Sequence, residues 1–427
     1  MRPVQKFIVT GGQPLNGEVQ IAGAKNAVLK LMAAAALTDD PCVLYNVPRI
    51  SDVAILRETM SDIGFEVKRT DDDALEIRAS SAEWLFVPLE AAMKMRASFI
   101  LLGPLLSRFG RVIISNPGGD RIGRRPVNLH VEAMTAMGAE VEYKNGYYFA
   151  HAPQGRLRGA VIEFPYVTVM GTENALLAAV LAQGTTVIEN AAREPETDDL
   201  VGMLCAMGAH IERPAEHRLE IEGVDRLRGV THRVIGDRLE AGTFAIATAI
   251  TGGDVTMRGI DPRHLAAFLA VLECMGVPHE TDGADGGSLR IHSAPGYRPA
   301  DIETEPYPGF ATDLQAPLAV LMTQADGMST IHETIYEDRL EYVTELNKMG
   351  AVIEVLDDRH ARIAGPTPLH GREVEISDLR AGATLVLAAL AASETSVISG
   401  VEHVDRGYEQ IESKLVGLGA QIHRIDA

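Results

Sequence analysis

MLCAMGAHIER, residues 203–213, ends one kind of structure on a glycine and begins another. The stretch leading to Gly208 is amphipathic, and the run after it is short and β-like. Glycine at such a junction reads as a helix stop, because a left-handed backbone suits a residue without Cβ. The same apolar-Gly-apolar junction occurs at Gly64, Gly138, Gly276, Gly350 and Gly419, and the six glycines are spaced by 74, 70, 68, 74 and 69 residues. The runs that follow are GFEVKR, GAEVEY, GVPHET, GAVIEV and GAQIHR.

Upstream of each glycine lies a second helical stretch that is apolar nearly all round: NAVLKLMAAAAL, ASFILLGPLL, ENALLAAVLA, AGTFAIATAI, DLQAPLAVLM and GATLVLAALAA. Helices apolar on every face are buried. β-rich segments such as TTVIEN, VTMRGI and TSVISG separate the two helices. Each unit therefore reads helix, strand, helix, strand, strand. Repeats of this size bury their apolar faces against one another. Six units in 427 residues predict two pseudo-symmetric α/β domains of three units each.

The formal charge of -20 argues against a nucleic-acid protein, which needs basic surface to neutralise phosphates. Cys42, Cys205 and Cys274 sit in mostly apolar contexts without a CxxC spacing, which predicts reduced, buried thiols and a cytoplasmic location. The N-terminus carries no signal-peptide pattern, and apolar runs such as Ala175–Ala182 are too short to span a bilayer, so no membrane insertion is expected. The thirteen histidines are scattered, and neither a metal site nor a cofactor is expected. Nothing in the sequence sets the oligomeric state.

The starts of the buried helices carry polar residues: Lys25-Asn26, Arg96, Thr172-Glu173, Glu240, Asp313 and Arg380, each 36 to 42 residues before the terminal glycine of its unit. Carboxylates, amides and hydroxyls there cap unsatisfied N–H groups. Lys25, Arg96 and Arg380 do not fit that account, since the helix dipole is positive at that end. Their presence predicts compensating anions. A second cationic feature is ISNPGGDRIGRRPVNLH, residues 114–130, where glycines loosen a loop rich in arginine. Bared N–H groups and guanidinium forks both suit phosphate oxygens. The loop is neither a Walker motif nor a dinucleotide fingerprint.

Several long stretches, in order along the chain, resemble the UDP-N-acetylglucosamine 1-carboxyvinyltransferase family of enolpyruvyl transferases. They are GGQPLNGEVQIAGAKNAVLKLMAAAAL, MRASFILLGPLLSRFG, PGGDRIGRRPVNLH, GTTVIENAAREPE, PGFATDLQAP and DRGYEQIESKLVGLGA. The resemblance implies two inverse α/β barrel-like domains of three βαβαββ repeats each, facing across a cleft. One would hold residues 1–22 and 236–427 with Asp313, Arg380 and Arg406. The other would hold residues 23–235 with Lys25, Arg96 and a mobile lid at 116–126. The implied reaction transfers the enolpyruvyl group of phosphoenolpyruvate to a hydroxyl of UDP-N-acetylglucosamine by addition and elimination, releasing phosphate. A different UDP-sugar acceptor and a catalytically silent nucleotide-sugar-binding regulator are the alternatives.

The same resemblance assigns roles. Lys25 and Asn26 of GAKN would contact phosphoenolpyruvate and the intermediate, and Arg96 of MRAS would add a second arginine. Arg125 and Arg406 would clamp phosphate and carboxylate. Arg380 would hold the carboxylate with Asp378 beside it. Asp313 would be the base or proton shuttle at the sugar hydroxyl. Arg125, Pro126, Val127, Asn128 and Leu129 would line the uridine, Ile335 would touch the nucleotide sugar, and Thr168 would lie near the diphosphate. Three positions depart from the family pattern. Asp120 stands where a lid cysteine is common, Asn128 where an aspartate is common, and Met170 where glycine is common. Aspartate donates a proton when water is excluded around it, because desolvation favours its neutral form. It lacks the nucleophilicity of a thiolate. Asp120 is therefore expected to be the general acid, and the enzyme to be insensitive to the epoxide fosfomycin, which alkylates that cysteine.

Overall fold

The computed structural model describes residues 5–79, 85–118, 123, 125–283 and 286–426. All six predicted stop glycines have a left-handed backbone, with φ from 82° at Gly276 to 110° at Gly64. A side chain would be strained at each of them. At Gly208 the N–H groups of Gly208 and Ala209 reach back to the carbonyls of Cys205 and Leu204, which closes the helix Pro195–Met207.

The strands form six four-stranded sheets. Each joins one parallel pair of strands to two antiparallel pairs. In one of them Val161–Thr168 runs parallel to Thr185–Ala191, which is antiparallel to Arg218–Glu222, itself antiparallel to His210–Ala215. With the two helices between strands the unit is βαβαββ. The strand that opens each unit is absent from the pattern of apolar runs. It is as short as two residues at Phe86–Val87 and three at Thr231–Arg233, Asp301–Glu303 and Glu373–Glu375, too short to display an alternation. The last unit is completed by the N-terminal strand Gln5–Thr10, which pairs with Thr395–Ser399 and Gln421–Asp426.

The chain divides into two compact units. One comprises Met1–Ala22 and Gly236–Ala427 with the short segment around Gly123; the other comprises Gly23–Gly119 and Arg125–Ile235. Two opening strands are exchanged. Asn16–Gln20 precedes the Lys25 helix in sequence but pairs with Asp254–Ile260, and Thr231–Arg233 precedes the Arg238 helix but pairs with Cys42–Tyr45.

Each unit has its own core around three buried helices. In the first these are Arg238–Ile250, Thr312–Met322 and Leu379–Ala391; in the second, Lys25–Ala34, Leu102–Phe109 and Val169–Ala179. The stretch at Arg96 enters its helix through a 3-10 segment, Arg96–Leu101. Helix packing is close where glycine allows it. A Cβ on Gly103 would lie 2.4 Å from the carbonyl oxygen of Asn174, and the Gly103 N–H donates to Asn174 Oδ1 at 2.6 Å. Two of the three thiols differ from expectation: Cys42 is buried, but Cys205 and Cys274 are exposed. Both lie on second helices, Pro195–Met207 and Ala266–Met275, on the side turned away from the core.

Candidate active site

The predicted residues fall into two groups, one in each unit. In the first unit the N-terminal ends of the buried helices carry a connected set of ionised side chains. Asp313, in the first turn of the Thr312 helix, accepts from Arg339 through Oδ1 at 2.6 Å and from Arg380 through Oδ2 at 3.0 Å. Both arginines are buried, while about a quarter (24%) of the Asp313 side chain stays open to solvent. Burial alone would lower the Arg380 pKa; Asp313, then Tyr408 and Asp237, hold it above the ordinary guanidinium value. Burial likewise opposes the charge on Arg339, and Asp313 and Asp378 more than offset it. Asp378 is the N-cap of the Arg380 helix and accepts from the N–H groups of Arg380 and Ala381. It therefore fixes the helix start from which Arg380 projects. Arg406 ends the 3-10 turn Val401–Arg406, two residues before the buried Tyr408.

Ile335 sits on a turn organised by Glu333. This buried carboxylate accepts from the N–H groups of Ile335 and Tyr336 at 2.8 and 3.1 Å and from the Thr312 hydroxyl at 2.8 Å. Glu333 thereby ties the Ile335 turn to the residue beside Asp313.

In the second unit Lys25 opens its helix without a side-chain cap, and its ammonium pairs with Asp52 at 2.9 Å. The compensating anions foreseen for Lys25 and Arg380 are thus supplied by Asp52 and Asp313. The Arg96 guanidinium donates to the carbonyl oxygen of Arg125. From there Pro126 is exposed, Val127 is the N-cap residue of the helix Asn128–Ala136, and Leu129 is buried. Asn128 is exposed, and its amide donates to Glu132 at 3.1 Å. Thr168 is the N-cap residue of the Val169 helix, so the polar pair Thr172-Glu173 lies inside that helix instead of opening it. Asn26 is half-buried beside Lys25, and its carbonyl accepts from Lys30. Of the loop 116–126, residues 119–122 and 124 lie outside the described residues, Asp120 among them. At its base Gly118 donates to the Ala92 carbonyl at 2.9 Å, and a Cβ there would stand 2.6 Å from the Met93 oxygen.

Two buried groups set the protonation of this unit. His130 is driven down to about 3 by burial and by Arg96, so its ring is neutral. The Asn174 amide lies 3.1 Å from Nδ1 and donates to it, which leaves the ring proton on Nε2. Glu173 is driven up to about 7 by burial; Lys30 at 3.4 Å and the Thr197 hydroxyl oppose the shift, and Glu194 adds to it. The folded state therefore holds a proton that the unfolded chain releases near its ordinary value of 4.5. That stabilisation is complete at pH 4.5 and below and is lost as pH rises toward 7. Glu173→Gln cannot ionise, so it should gain stability relative to the parent by about 3 kcal/mol between pH 4.5 and 7. Urea denaturation of both proteins at pH 5 and pH 8 reads this difference. A gap independent of pH would show that Glu173 ionises in the folded state as it does in water.

Arg339, Asp52, Glu333 and Tyr408 escaped the sequence reading. Arg339 ends the stretch HETIYEDR, residues 332–339, which contains Ile335, but its partner Asp313 is 26 residues away and no spacing rule links them. Among the described residues no group of three or more His, Cys, Asp or Glu side chains could hold a metal ion. No helix among the described residues is long and apolar enough to cross a membrane.

A family model described as EPSP synthase (3-phosphoshikimate 1-carboxyvinyltransferase) matches residues 9–415. The chain is 47% identical to a UDP-N-acetylglucosamine 1-carboxyvinyltransferase of Acidobacterium capsulatum, over 99% of this chain and 96% of that one. It is 45% identical to the protein of the same name from Solibacter usitatus, over 99% and 100%. Among solved structures, the enolpyruvyl transferase NikO from Streptomyces tendae superposes with a TM-score of 0.90 at 28% identity, covering all of both chains. EPSP synthase from Acinetobacter baumannii shares the fold, with a TM-score of 0.77 at 18% identity over 99% of this chain and 100% of that one.

Proposed function

The chain belongs to the UDP-N-acetylglucosamine 1-carboxyvinyltransferases of the enolpyruvyl transferase family, and we propose that it catalyses the reaction their name describes. It moves the enolpyruvyl group of phosphoenolpyruvate onto a hydroxyl of UDP-N-acetylglucosamine and releases phosphate, as the first committed step of peptidoglycan synthesis. The observation that carries this reading is the Asp313 cluster. A partly open carboxylate is held between two buried guanidiniums. The arrangement supports one base and a fixed positive field in the same place.

In this mechanism Asp313 accepts the sugar hydroxyl proton as the oxygen bonds to C2 of phosphoenolpyruvate. Asp120 donates a proton to the methylene carbon, which becomes a methyl group. One methyl proton then returns to the Asp120 carboxylate, the C2–O bond to phosphate breaks, the phosphate leaves with the proton that Asp313 took up, and the enol ether remains. Lys25, Asn26, Arg96, Arg125 and Arg406 contact the phosphate, the carboxylate and the charge that develops on them. Arg380, backed by Asp378, binds the carboxylate. The strip Arg125, Pro126, Val127, Asn128 and Leu129 takes the uridine, with Thr168 near the diphosphate and Ile335 against the nucleotide sugar.

The test is phosphate release from phosphoenolpyruvate with UDP-N-acetylglucosamine and, in parallel, with other UDP-sugars. Release that requires UDP-N-acetylglucosamine supports the reading. Release with another UDP-sugar alone would point to a changed acceptor, which Asn128 and Met170 would then explain.

A further inference from the structure

Tyr408 is among the largest fully buried side chains, and the reaction scheme gives it no part. Its hydroxyl lies 2.9 Å from Thr243 Oγ1 on the Arg238 helix and 2.9 Å from Arg380 Nη1 on the Leu379 helix. The direction of these bonds follows from Thr243. Its hydroxyl has one hydrogen, and its neighbour at 2.8 Å is the carbonyl oxygen of Leu239, which only accepts. That hydrogen therefore goes to Leu239, and the Tyr408 hydroxyl must donate to Thr243 Oγ1. The phenol oxygen is left as a fixed acceptor for Arg380. Burial pushes the Tyr408 pKa up, more than Arg380 lowers it, so the phenol keeps its proton.

The Arg380 guanidinium is then pinned at both ends, with Nη1 on Tyr408 and Nη2 on Asp313. Its Nε is buried and has no partner among the described residues. An unmet donor on a buried cation points to an absent acceptor. We propose that Tyr408 is a positioning residue, whose phenol oxygen, set as an acceptor by Thr243, holds the Arg380 fork in the orientation that binds the carboxylate of phosphoenolpyruvate. This rests on the reading of Arg380 as an anion-binding residue. Because Tyr408 follows Arg406 by two residues, the same contact also anchors the turn carrying Arg406.

Tyr408→Phe keeps the ring and removes only the acceptor. A lost hydrogen bond to a charged group predicts a rise in the KM for phosphoenolpyruvate of about 10-fold or more, with the KM for the UDP-sugar changed less than about twofold. Thr243→Val frees the phenol to turn, so a smaller rise in the same KM is expected. Thermal melting and direct calorimetric titration with phosphoenolpyruvate accompany the kinetics. An unchanged phosphoenolpyruvate KM, or a uniform loss of kcat and both substrate affinities that tracks melting temperature, overturns the proposal and leaves the reaction standing. If the parent enzyme does not turn over, the reaction scheme fails. The titration then decides the role of Tyr408 alone: weaker phosphoenolpyruvate binding in Tyr408→Phe supports it, and equal binding overturns it.

Discussion

The protein is expected to resist fosfomycin, and Asp120→Cys to be alkylated and inactivated by it while turning over normally in its absence. A thiol in this loop would be deprotonated readily beside the flanking arginines and would open the epoxide, whereas a carboxylate is the weaker nucleophile. Asp120→Ala has neither group. Loss of a general acid predicts a fall in kcat of about 10²- to 10⁴-fold with little change in KM. Intact-mass measurement after fosfomycin treatment reads the first outcome, and steady-state kinetics the second. A covalent adduct on the parent protein, or an Asp120→Ala variant with parental kcat, would remove Asp120 from the chemistry.

Asp313 carries the second large effect, on stability and on rate together. Asp313→Ala leaves Arg339 and Arg380 buried beside one another without their shared carboxylate. Removing one partner of a buried ion pair costs about 3–5 kcal/mol. The melting temperature should fall by several degrees. Asp313→Asn keeps the shape and one acceptor oxygen, so it should cost less stability, but it cannot take a proton. Its kcat should drop by about 10²- to 10⁴-fold in a protein that still melts cooperatively. An Asp313→Asn variant with kcat within about tenfold of the parent would show that the base lies elsewhere.

The parts of the fold legible in the sequence were those with a local physical cause. A helix that stops on a left-handed residue calls for glycine, and the six such glycines mark the six units. Helices buried on every face show as apolar runs. The opening strands, two or three residues long in four units, have no periodicity to read. Within the candidate site, cations at helix starts were visible because they oppose the helix dipole. Their partners were not. Tyr408 meets Arg380 across 28 residues and Thr243 across 165, and no pattern in the chain encodes such contacts. The protonation of Glu173 was equally hidden, because it depends on the packing around that carboxylate.

Addition followed by elimination is tested most directly by the reaction of phosphoenolpyruvate with UDP-N-acetylglucosamine in deuterium oxide, read by product mass. Addition followed by elimination passes through a methyl group that has gained a solvent proton and must lose one of three. The expected products are phosphate and a UDP-sugar heavier by the enolpyruvyl group, with deuterium in its vinyl methylene. Phosphate release without that adduct, or an adduct free of deuterium at the methylene, would contradict this route.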